Sequence, residues 1–233
     1  VCGNCWDDLA TQMAAVTPLS GLYTVQVASN VYHASATGDY VLRLAKSPGS
    51  FEVPNGDQGG AMTNGANHAG RIEPADLDIW TFNADQGDAI LLTLAEVPVG
   101  PSEPDPGFWP WLRVFSPTGA TLVCGNCWDD LATQMAAAAP LTGTYTVVVS
   151  SNVYHAAAAG DYVLRLAKVP GTFQVPAGDD GGAMTNAISY NGRIESADLD
   201  MWTFTAIQGS PITVRVDEIP VPPTEPDPGF WPW

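Results

Sequence analysis

The sequence predicts an all-β protein built from tandem antiparallel β-sandwich repeats of jelly-roll-like type. Three observations predict it. Apolar residues alternate with a period of two, turn residues separate the alternating runs, and residues 1–15 recur letter for letter at 123–137. The offset of 122 residues continues without a gap to the end of the chain, and most comparable positions are identical. Repetition at a fixed period indicates an array of equivalent structural units.

Turn-rich stretches mark where one unit ends and the next begins. Pro and Gly cluster at 48–49 and 54–60, and again one period later at 170–171 and 176–182. The sequence therefore predicts three parts. Residues 1–49 form the C-terminal half of a unit, residues 50–171 form a complete unit with its linker, and residues 172–233 form the N-terminal half of the next unit.

Within the complete unit, strands and turns are predicted in alternation. The β-branched and aliphatic runs lie at 77–82, 90–94, 112–115, 145–149 and 162–166, and the turn signals lie at 86–88, 116–119, 141–143 and 160–161. The one candidate helix, 7–16, is short and could equally be a strand. About eight strands in about 115 residues, without helical crossovers, are typical of an antiparallel sandwich.

Composition and charge exclude several classes of protein. The chain is 45% hydrophobic and contains 8 Trp, 7 Tyr and 7 Phe, so it can bury a core and is not a disordered chain. Its 25 acidic residues against 8 Lys and Arg give a net charge of −17, which repels phosphate groups. We therefore expect no nucleic-acid partner and no anionic membrane partner. No apolar stretch is long enough to span a membrane, and any export signal is expected outside this sequence.

The order of the motifs resembles the bacterial pre-peptidase C-terminal domain, as found in repeats of very large exported proteins. The matching motifs lie at 59–64 (Gly-Gly-Ala-Met-Thr-Asn), 70–72, 76–82, 86–88, 111–119, 143–147 and 160–164. The resemblance implies an exported, non-catalytic β-sandwich, similar to the collagen-binding domains of bacterial collagenases, some of which bind calcium. The Cys-Gly-Asn-Cys-Trp and Phe-Trp-Pro-Trp segments are outside the usual pattern of that family.

The cysteines form two Cys-Gly-Asn-Cys motifs. Gly-Asn favours a β-turn, which brings the end Cα atoms within about 7 Å, a span that a disulfide accepts. We expect disulfides that each close a hairpin tip, Cys2 to Cys5 and Cys124 to Cys127. Three alternatives stay open: a thioredoxin-like redox motif, a zinc site that unites both motifs, and four reduced thiols.

Acidic residues cluster around the predicted junctions between units. Oxygen ligands in excess, with backbone carbonyls from Gly-rich turns, suit Ca²⁺. The resemblance to collagenase-type domains places the ligands at the linker acid and at the Asp-x-Asp pair of each unit. The candidate calcium ligands are Asp57, Asp76, Asp78, Asp179, Asp198 and Asp200. Calcium is the only cofactor that the sequence suggests, and the alternative is a set of solvated acidic loops.

The duplicated Phe-Trp-Pro-Trp segment has two interpretations. It either packs as a buried seam between units, which alternation favours, or forms an aromatic platform for sugar or collagen. The residues concerned are Phe108, Trp109, Trp111, Phe230, Trp231 and Trp233. His33 and His155 occupy equivalent positions of the repeat. Neither has a nucleophile or an acid at the spacing of a catalytic triad, so we expect no enzymatic activity.

These observations predict a structural extracellular repeat protein. Neither half-unit can close a two-sheet core alone, so each half should meet a complementary half of a neighbouring copy, head to tail, in a filament, stalk or sheath. Because residues 112–122 have no second copy, we expect a continuous repeat chain rather than separate subunits. The alternative function is an adhesin for carbohydrate or collagen on the cell surface, and a redox enzyme is a more distant one.

Overall fold

The fold was analysed in a computed structural model. The structure describes residues 13, 15–29, 35–97, 107, 109–125, 132–152, 155, 157–195 and 198–217. These residues form eleven β-strands and contain no α-helix. No helix among them is long and apolar enough to cross a membrane.

Nine of the strands belong to the predicted complete unit and two follow it. In chain order they are β1 (Gly59–Ala61), β2 (Asn67–Ile72), β3 (Asp78–Ala84), β4 (Ala89–Glu96), β5 (Pro110–Phe115), β6 (Thr121–Gly125), β7 (Ala132–Ala138), β8 (Gly143–Ser151), β9 (Gly160–Val169), β10 (Gly181–Ala183) and β11 (Met201–Thr203).

Two facing sheets make up the complete unit. Sheet A has the strand order β1-β3-β8-β5-β6, and sheet B has the order β2-β9-β4-β7. All neighbours are antiparallel except β1 and β3, which are parallel. Without β1, the chain alternates between two four-stranded sheets as in a jelly roll, except at the hairpin of β5 and β6, which both lie in sheet A. The predicted all-β antiparallel sandwich is therefore confirmed, with one parallel pair that the sequence did not indicate. The tandem repetition of this fold stays a prediction.

The core fills the space between the sheets, because alternate residues of each strand face inward. In β9, Tyr162, Leu164 and Leu166 face the core, while Val163 and Arg165 lie on the outer face. The largest fully buried side chains come from both sheets: Tyr145, Tyr162, Ile72, Ile90, Leu92, Leu94, Leu112, Leu164, Leu166, Val114 and Val147. Burying each aliphatic side chain of this kind contributes about 1.5–3 kcal/mol to stability.

The structure corrects two local expectations and bears on a third that the sequence left open. Residues 160–161 do not form a turn, because β9 begins at Gly160. The segment that could have been helix or strand, 7–16, lies mostly outside the described residues, but its copy contains β7. The segment after β6 does not lead into a hairpin, because β6 is the edge of sheet A and β7 is the edge of sheet B.

The segments on either side of the complete unit contain little regular structure. The described residues between 13 and 52 include no strand, and those from 172 onward include only β10 and β11. This pair repeats the parallel register of β1 and β3, with Gly181 opposite Met201 as Gly59 lies opposite Ile79. The predicted boundaries at residues 49 and 171 fall outside the strands and stay a prediction.

Candidate functional site

The six predicted calcium ligands come together in two clusters, one at each predicted junction. We call Asp57, Asp76 and Asp78 the first acid triad, and Asp179, Asp198 and Asp200 the second acid triad. In each triad, one carboxylate oxygen of every residue lies within 4.8 Å of the other two. The two triads are related by the repeat offset, so the same sequence builds the same cluster twice.

The linker acid of each triad is fixed by a β-turn. The Asp57 amide donates to the Pro54 carbonyl over 3.1 Å, and Gly56 has φ +90°, a left-handed conformation that favours glycine. The Gln58 amide then donates to Asp57 Oδ1 over 3.0 Å. The copy at Asp179 makes the same two hydrogen bonds, at 3.1 and 3.0 Å. The turn therefore determines where this carboxylate points.

The second acid is held by backbone amides in the loop that precedes β3. Asp76 Oδ1 accepts from the Leu77 amide over 2.7 Å, and Oδ2 accepts from the Glu73 amide over 3.3 Å. Asp198 repeats both bonds at 2.8 and 3.3 Å. Hydrogen bonds from amides to an ionised carboxylate are stronger than neutral ones, so this arrangement favours the charged form.

The third acid connects the first triad to the core. Asp78 begins β3 and is buried, and its Oδ2 accepts a hydrogen bond from the Tyr162 hydroxyl over 2.6 Å. Trp80 Nε1 donates to the same hydroxyl over 3.0 Å. Asp78 Oδ1 is also buried and has no hydrogen-bond partner among the described residues. Sheet A and sheet B are thus joined by a polar bridge that ends at the acid triad.

Burial changes the protonation of the third acid in both triads. Desolvation raises the pKa of Asp78 to about 7, the hydrogen bond from Tyr162 opposes the rise, and the Asp57 charge adds to it. In the second triad, desolvation raises the pKa of Asp200 to about 6, with further increases from the charges of Asp179 and Asp180. Crowded carboxylates of this kind are stabilised by a nearby cation.

An arginine supplies that cation in each triad. Arg43 Nη1 lies 3.4 Å from Asp57 Oδ2 and contacts Asp76 Oδ1. Arg165 Nη1 lies 3.0 Å from Asp179 Oδ2 and contacts Asp198 Oδ1. The sequence reasoning missed both arginines. The available signal was a cation repeated at an outward strand position in Gly-Asp-Tyr-Val-Leu-Arg-Leu, in a chain with few cations.

The donor set of each triad fits a guanidinium better than a calcium ion. Ca²⁺ takes about 6–8 oxygen ligands. Of the six carboxylate oxygens in the first triad, five already accept a hydrogen bond or contact Arg43, and Arg165 contacts two acids of the second triad in the same way. The grouping of the acids therefore agrees with the sequence expectation, while the arginine contacts argue against calcium as its reason.

The cysteine predictions lie almost entirely outside the described residues. Cys2, Cys5 and Cys127 are not described, and for Cys124 the structure gives the backbone, which pairs with Arg113 in β6 and β5. Both disulfides stay a prediction. The predicted hairpin tip is wrong for the second motif, because the chain passes there from the edge of one sheet to the edge of the other.

Of the predicted aromatic segment, Trp109 and Trp111 are described, and neither belongs to the core of the sandwich. Trp109 is half-buried and stacks on His155, with ring centroids 4.3 Å apart. Trp111 lies on the outer face of sheet A, with the Arg113 guanidinium 5.1 Å from its ring centroid. Both side chains are partly buried, and the choice between packing between units and a ligand platform stays a prediction. The remaining aromatic candidates lie outside the described residues: Phe108, Phe230, Trp231 and Trp233.

Comparisons with solved structures find distant similarities to three β-domains. The pre-peptidase C-terminal domain of a Bacillus anthracis collagenase is 14% identical, with 47% of this chain and 95% of that chain covered and a TM-score of 0.35. PliG, a periplasmic inhibitor of g-type lysozyme, is similar in its Aeromonas hydrophila form (17% identity, 48% and 98% covered, TM-score 0.36) and its Salmonella Typhimurium form (16%, 48% and 98%, 0.35).

The first of these domains is of the family that the sequence motifs resemble. No family model matches the chain, and no curated protein matches it. We take no activity or partner from these similarities.

Proposed function

We propose that this chain is part of an exported structural protein whose β-sandwich units stack head to tail in a filament, stalk or sheath. The observation that carries the proposal is a difference between copies of the same residues. Apolar side chains that are buried in the complete unit are exposed in the segments on either side of it.

The N-terminal segment exposes the copy of strand β9. Tyr40, Leu42 and Leu44 are 69%, 57% and 76% exposed, whereas their copies Tyr162, Leu164 and Leu166 are 0%, 0% and 1% exposed. Residues with core sequence and surface exposure indicate an interaction surface. In the complete unit, Tyr162, Leu164 and Leu166 are covered by sheet A, and β9 is flanked by β2 and β4.

The C-terminal segment exposes the copy of strand β4. Ile212, Val214 and Val216 are 61%, 60% and 62% exposed, whereas their copies Ile90, Leu92 and Leu94 are 2%, 0% and 0% exposed. In the complete unit β4 and β9 are hydrogen-bonded neighbours, with Leu92 opposite Leu166. The two flanking segments therefore carry complementary parts of one sandwich.

The matching partner for each segment is a second copy of the opposite segment. The C-terminal segment of one copy holds the strands that the N-terminal segment of the next copy lacks, apart from residues 112–122. A contact between different surfaces of identical copies does not close on itself in general, so it produces an open, directional array. In a longer chain the next repeat would supply the same complement.

Sedimentation velocity of the 233-residue chain tests the proposal. Leu44→Asp and Val214→Asp place a charge in the expected contact and should abolish concentration-dependent association. Leu22→Asp is the matched control, because Leu22 is 98% exposed but its copy Thr144 is also on the surface. A wild-type chain that stays monomeric up to high micromolar concentration, or equal effects of all three variants, would contradict the proposal.

Tests of the extracellular location and of the form of the array require protein isolated from its native source. We propose location outside the cell or on its surface, supported by the family resemblance of the motifs. Electron microscopy should show filaments or a sheath, and denaturing electrophoresis separates a continuous array of several repeats from chains of 24.5 kDa. Amorphous material, or antigen confined to the cytoplasm, contradicts this part of the proposal.

A second candidate is an adhesin, favoured by the outward position of Trp111. An aromatic ring with a nearby guanidinium on a sheet face is a typical contact for sugar rings or extended peptides. Trp111→Ala should then reduce binding to a glycan or collagen surface without changing association of the chain. Wild-type protein that binds neither surface removes this candidate.

A further inference from the structure

We infer that consecutive units are locked together by an arginine socket: the guanidinium of Arg165 on β9, and that of Arg43 at the equivalent repeat position, occupies the acid triad of the unit that follows. This inference concerns the connection within one chain, so it does not depend on association between chains. The strongest support is duplication. Arg43 enters the first acid triad and Arg165 enters the second, and both the arginines and the acids are separated by the 122-residue offset.

The direction of the arginine is set by the sheet. In β9, Arg165 lies opposite Asn67 of β2 and Thr93 of β4, so both neighbours fix its backbone. Leu164 and Leu166 face the core, which places Arg165 on the outer face of sheet B. The side chain therefore points away from its own unit, toward the unit that follows.

The burial of its acids distinguishes the socket from the ion pairs on the surface. Arg71, Arg193 and Arg215 pair with acids of their own unit and have half-exposed to exposed side chains; each has an acid two residues away, and Arg71 also pairs with the half-exposed Asp161. The acids that meet Arg43 and Arg165 are largely buried instead, and they belong to a different unit. Removing one member of a buried ion pair leaves an uncompensated charge and is strongly destabilising.

A second contact fixes the start of the same linker. The Asn64 side chain donates to the carbonyls of Lys168 and Thr172 over 2.9 and 3.0 Å, and the backbone carbonyl of Asn64 accepts from the Gln174 amide over 2.9 Å. The linker after β9 is thus held against its own unit, and the socket then holds the next unit. Two anchor points on either side of the linker restrict rotation between consecutive units.

The test removes both guanidinium groups from the full chain. Arg43→Gln with Arg165→Gln keeps polar side chains of similar reach and removes both charges. Hydrogen exchange should become about tenfold faster or more in peptides 54–58, 73–77, 176–180 and 195–199, because the carboxylates that hold these loops lose their partner. Arg71→Gln with Arg193→Gln is the matched control. Its partners Glu73 and Glu195 lie in peptides 73–77 and 195–199, so the comparison between the two variants uses 54–58 and 176–180, where the control should leave exchange unchanged.

Calcium chloride provides the second readout. Wild-type chain should show the same melting curve in chelator and in millimolar calcium, whereas the emptied triads of the double variant should gain thermal stability from calcium. Stabilisation of the wild-type chain by calcium, or exchange in the double variant no faster than in the control, overturns the inference. If the double variant does not fold, the single variants Arg165→Gln and Arg165→Lys decide. Exchange in 176–180 should be faster in Arg165→Gln and close to wild type in Arg165→Lys, which keeps the cation, and equal exchange in both variants overturns the inference.

Discussion

The complete unit and the segments beside it contain the same sequence in two different environments. Tyr145 and its copy Tyr23 both close the turn before them: each hydroxyl donates to the leucine carbonyl four residues earlier, over 2.6 Å for Tyr145 and 2.5 Å for Tyr23. Yet Tyr145 is 0% exposed and Tyr23 is 52% exposed. Local sequence is therefore sufficient for the turn, while burial requires the strands of the facing sheet.

The C-terminal segment also shows which structure forms from local sequence and which requires the rest of the sandwich. β10 and β11 reproduce the register of β1 and β3, which needs only residues of that segment. The copies of β2 and β4 do not form strands among the described residues, and their main partner in the complete unit is β9. A strand without its neighbour has no ladder to join, so the half-unit stops at the parallel pair.

The largest expected difference between the two environments is the effect of removing one core side chain. Leu164→Ala should lower the free energy of unfolding of the complete unit by about 2–5 kcal/mol, because it leaves a cavity between the sheets. Leu42→Ala, at the same repeat position, should change it by less than about 0.5 kcal/mol in dilute solution. Chemical denaturation followed by tryptophan fluorescence measures both. Equal losses would mean that the N-terminal segment is already packed in the isolated chain.

The next effect concerns the buried carboxyl at the edge of the core. The pKa of Asp78 is about 7, above its ordinary value near 3.8, so between those pH values the native state binds more protons than the unfolded state. Stability should therefore fall as pH rises through this range, by on the order of 1–4 kcal/mol. Arg43, Asp57 and Tyr162 are the charged and titratable groups that act on it.

Asp78→Asn should remove that dependence, because the amide oxygen still accepts from Tyr162 and the amide nitrogen carries no charge. The variant should be more stable than wild type at pH 8 and no more stable at pH 4.5, as measured by thermal unfolding across the pH range. Asp39→Asn, on the exposed N-terminal segment, serves as the control. A variant that melts lower at pH 8 would show that the negative charge of Asp78 is needed in the native state.

A smaller loss of stability is expected from a substitution at Gly70, which packs against the Tyr162 ring that hydrogen-bonds Asp78. A Cβ at Gly70 would lie 2.3 Å from the Tyr162 ring, and adding such an atom to a packed core costs about 1–3 kcal/mol. At the copy, Gly192, the Cβ would meet the end of the Asp200 side chain at 2.8 Å, which can move aside. Gly70→Ala should therefore destabilise the complete unit, and Gly192→Ala should change its melting temperature little. A similar loss in both variants would place an aromatic ring against Gly192 as well, as expected in an associated chain.

The features that the sequence predicted well depend on local pattern or on repetition. Period-two alternation located β3, β4, β5, β8 and β9, and repetition placed the acid triads at equivalent points of two units. The parallel pairing of β1 with β3 was missed because β1 is three residues of Gly-Gly-Ala, without alternation or bulk. Its pairing depends on a neighbour rather than on its own sequence.

The site was predicted only in part for a related reason. Carboxylates near each other in sequence, such as Asp76 and Asp78, can be grouped from spacing alone. Arg43 joins them from the preceding unit, and Tyr162 joins them from the far end of the complete unit. Such contacts depend on sheet order, which the sequence pattern does not specify. The aromatic segment shows the same limit, since alternation gives a shared face for Trp109 and Trp111 but not which face is inward, and its role stays a prediction.

The smallest expected effect comes from a substitution that the repeat itself contains. His68 Nε2 accepts from the Thr63 amide over 3.0 Å, and its ring lies edge-on to Trp80. At the copy, the hydroxyl of Tyr190 accepts from the corresponding amide over 2.8 Å. Two chemically different side chains thus satisfy the same backbone donor in the same loop.

His68→Tyr should therefore change the free energy of unfolding at pH 7.5 by less than about 1 kcal/mol, whereas His68→Ala leaves the Thr63 amide without its acceptor and should cost about 1–3 kcal/mol. The two variants should also differ from wild type in acid. Burial lowers the pKa of His68, so below about pH 6.5 the unfolded chain takes up a proton that the native state resists, and wild-type stability falls. His68→Tyr should lose that component of the pH dependence, which melting curves at pH 5 and 7.5 measure. A His68→Tyr variant as unstable as His68→Ala would mean that the first unit needs an imidazole where the second accepts a phenol, and that the two loops are not equivalent.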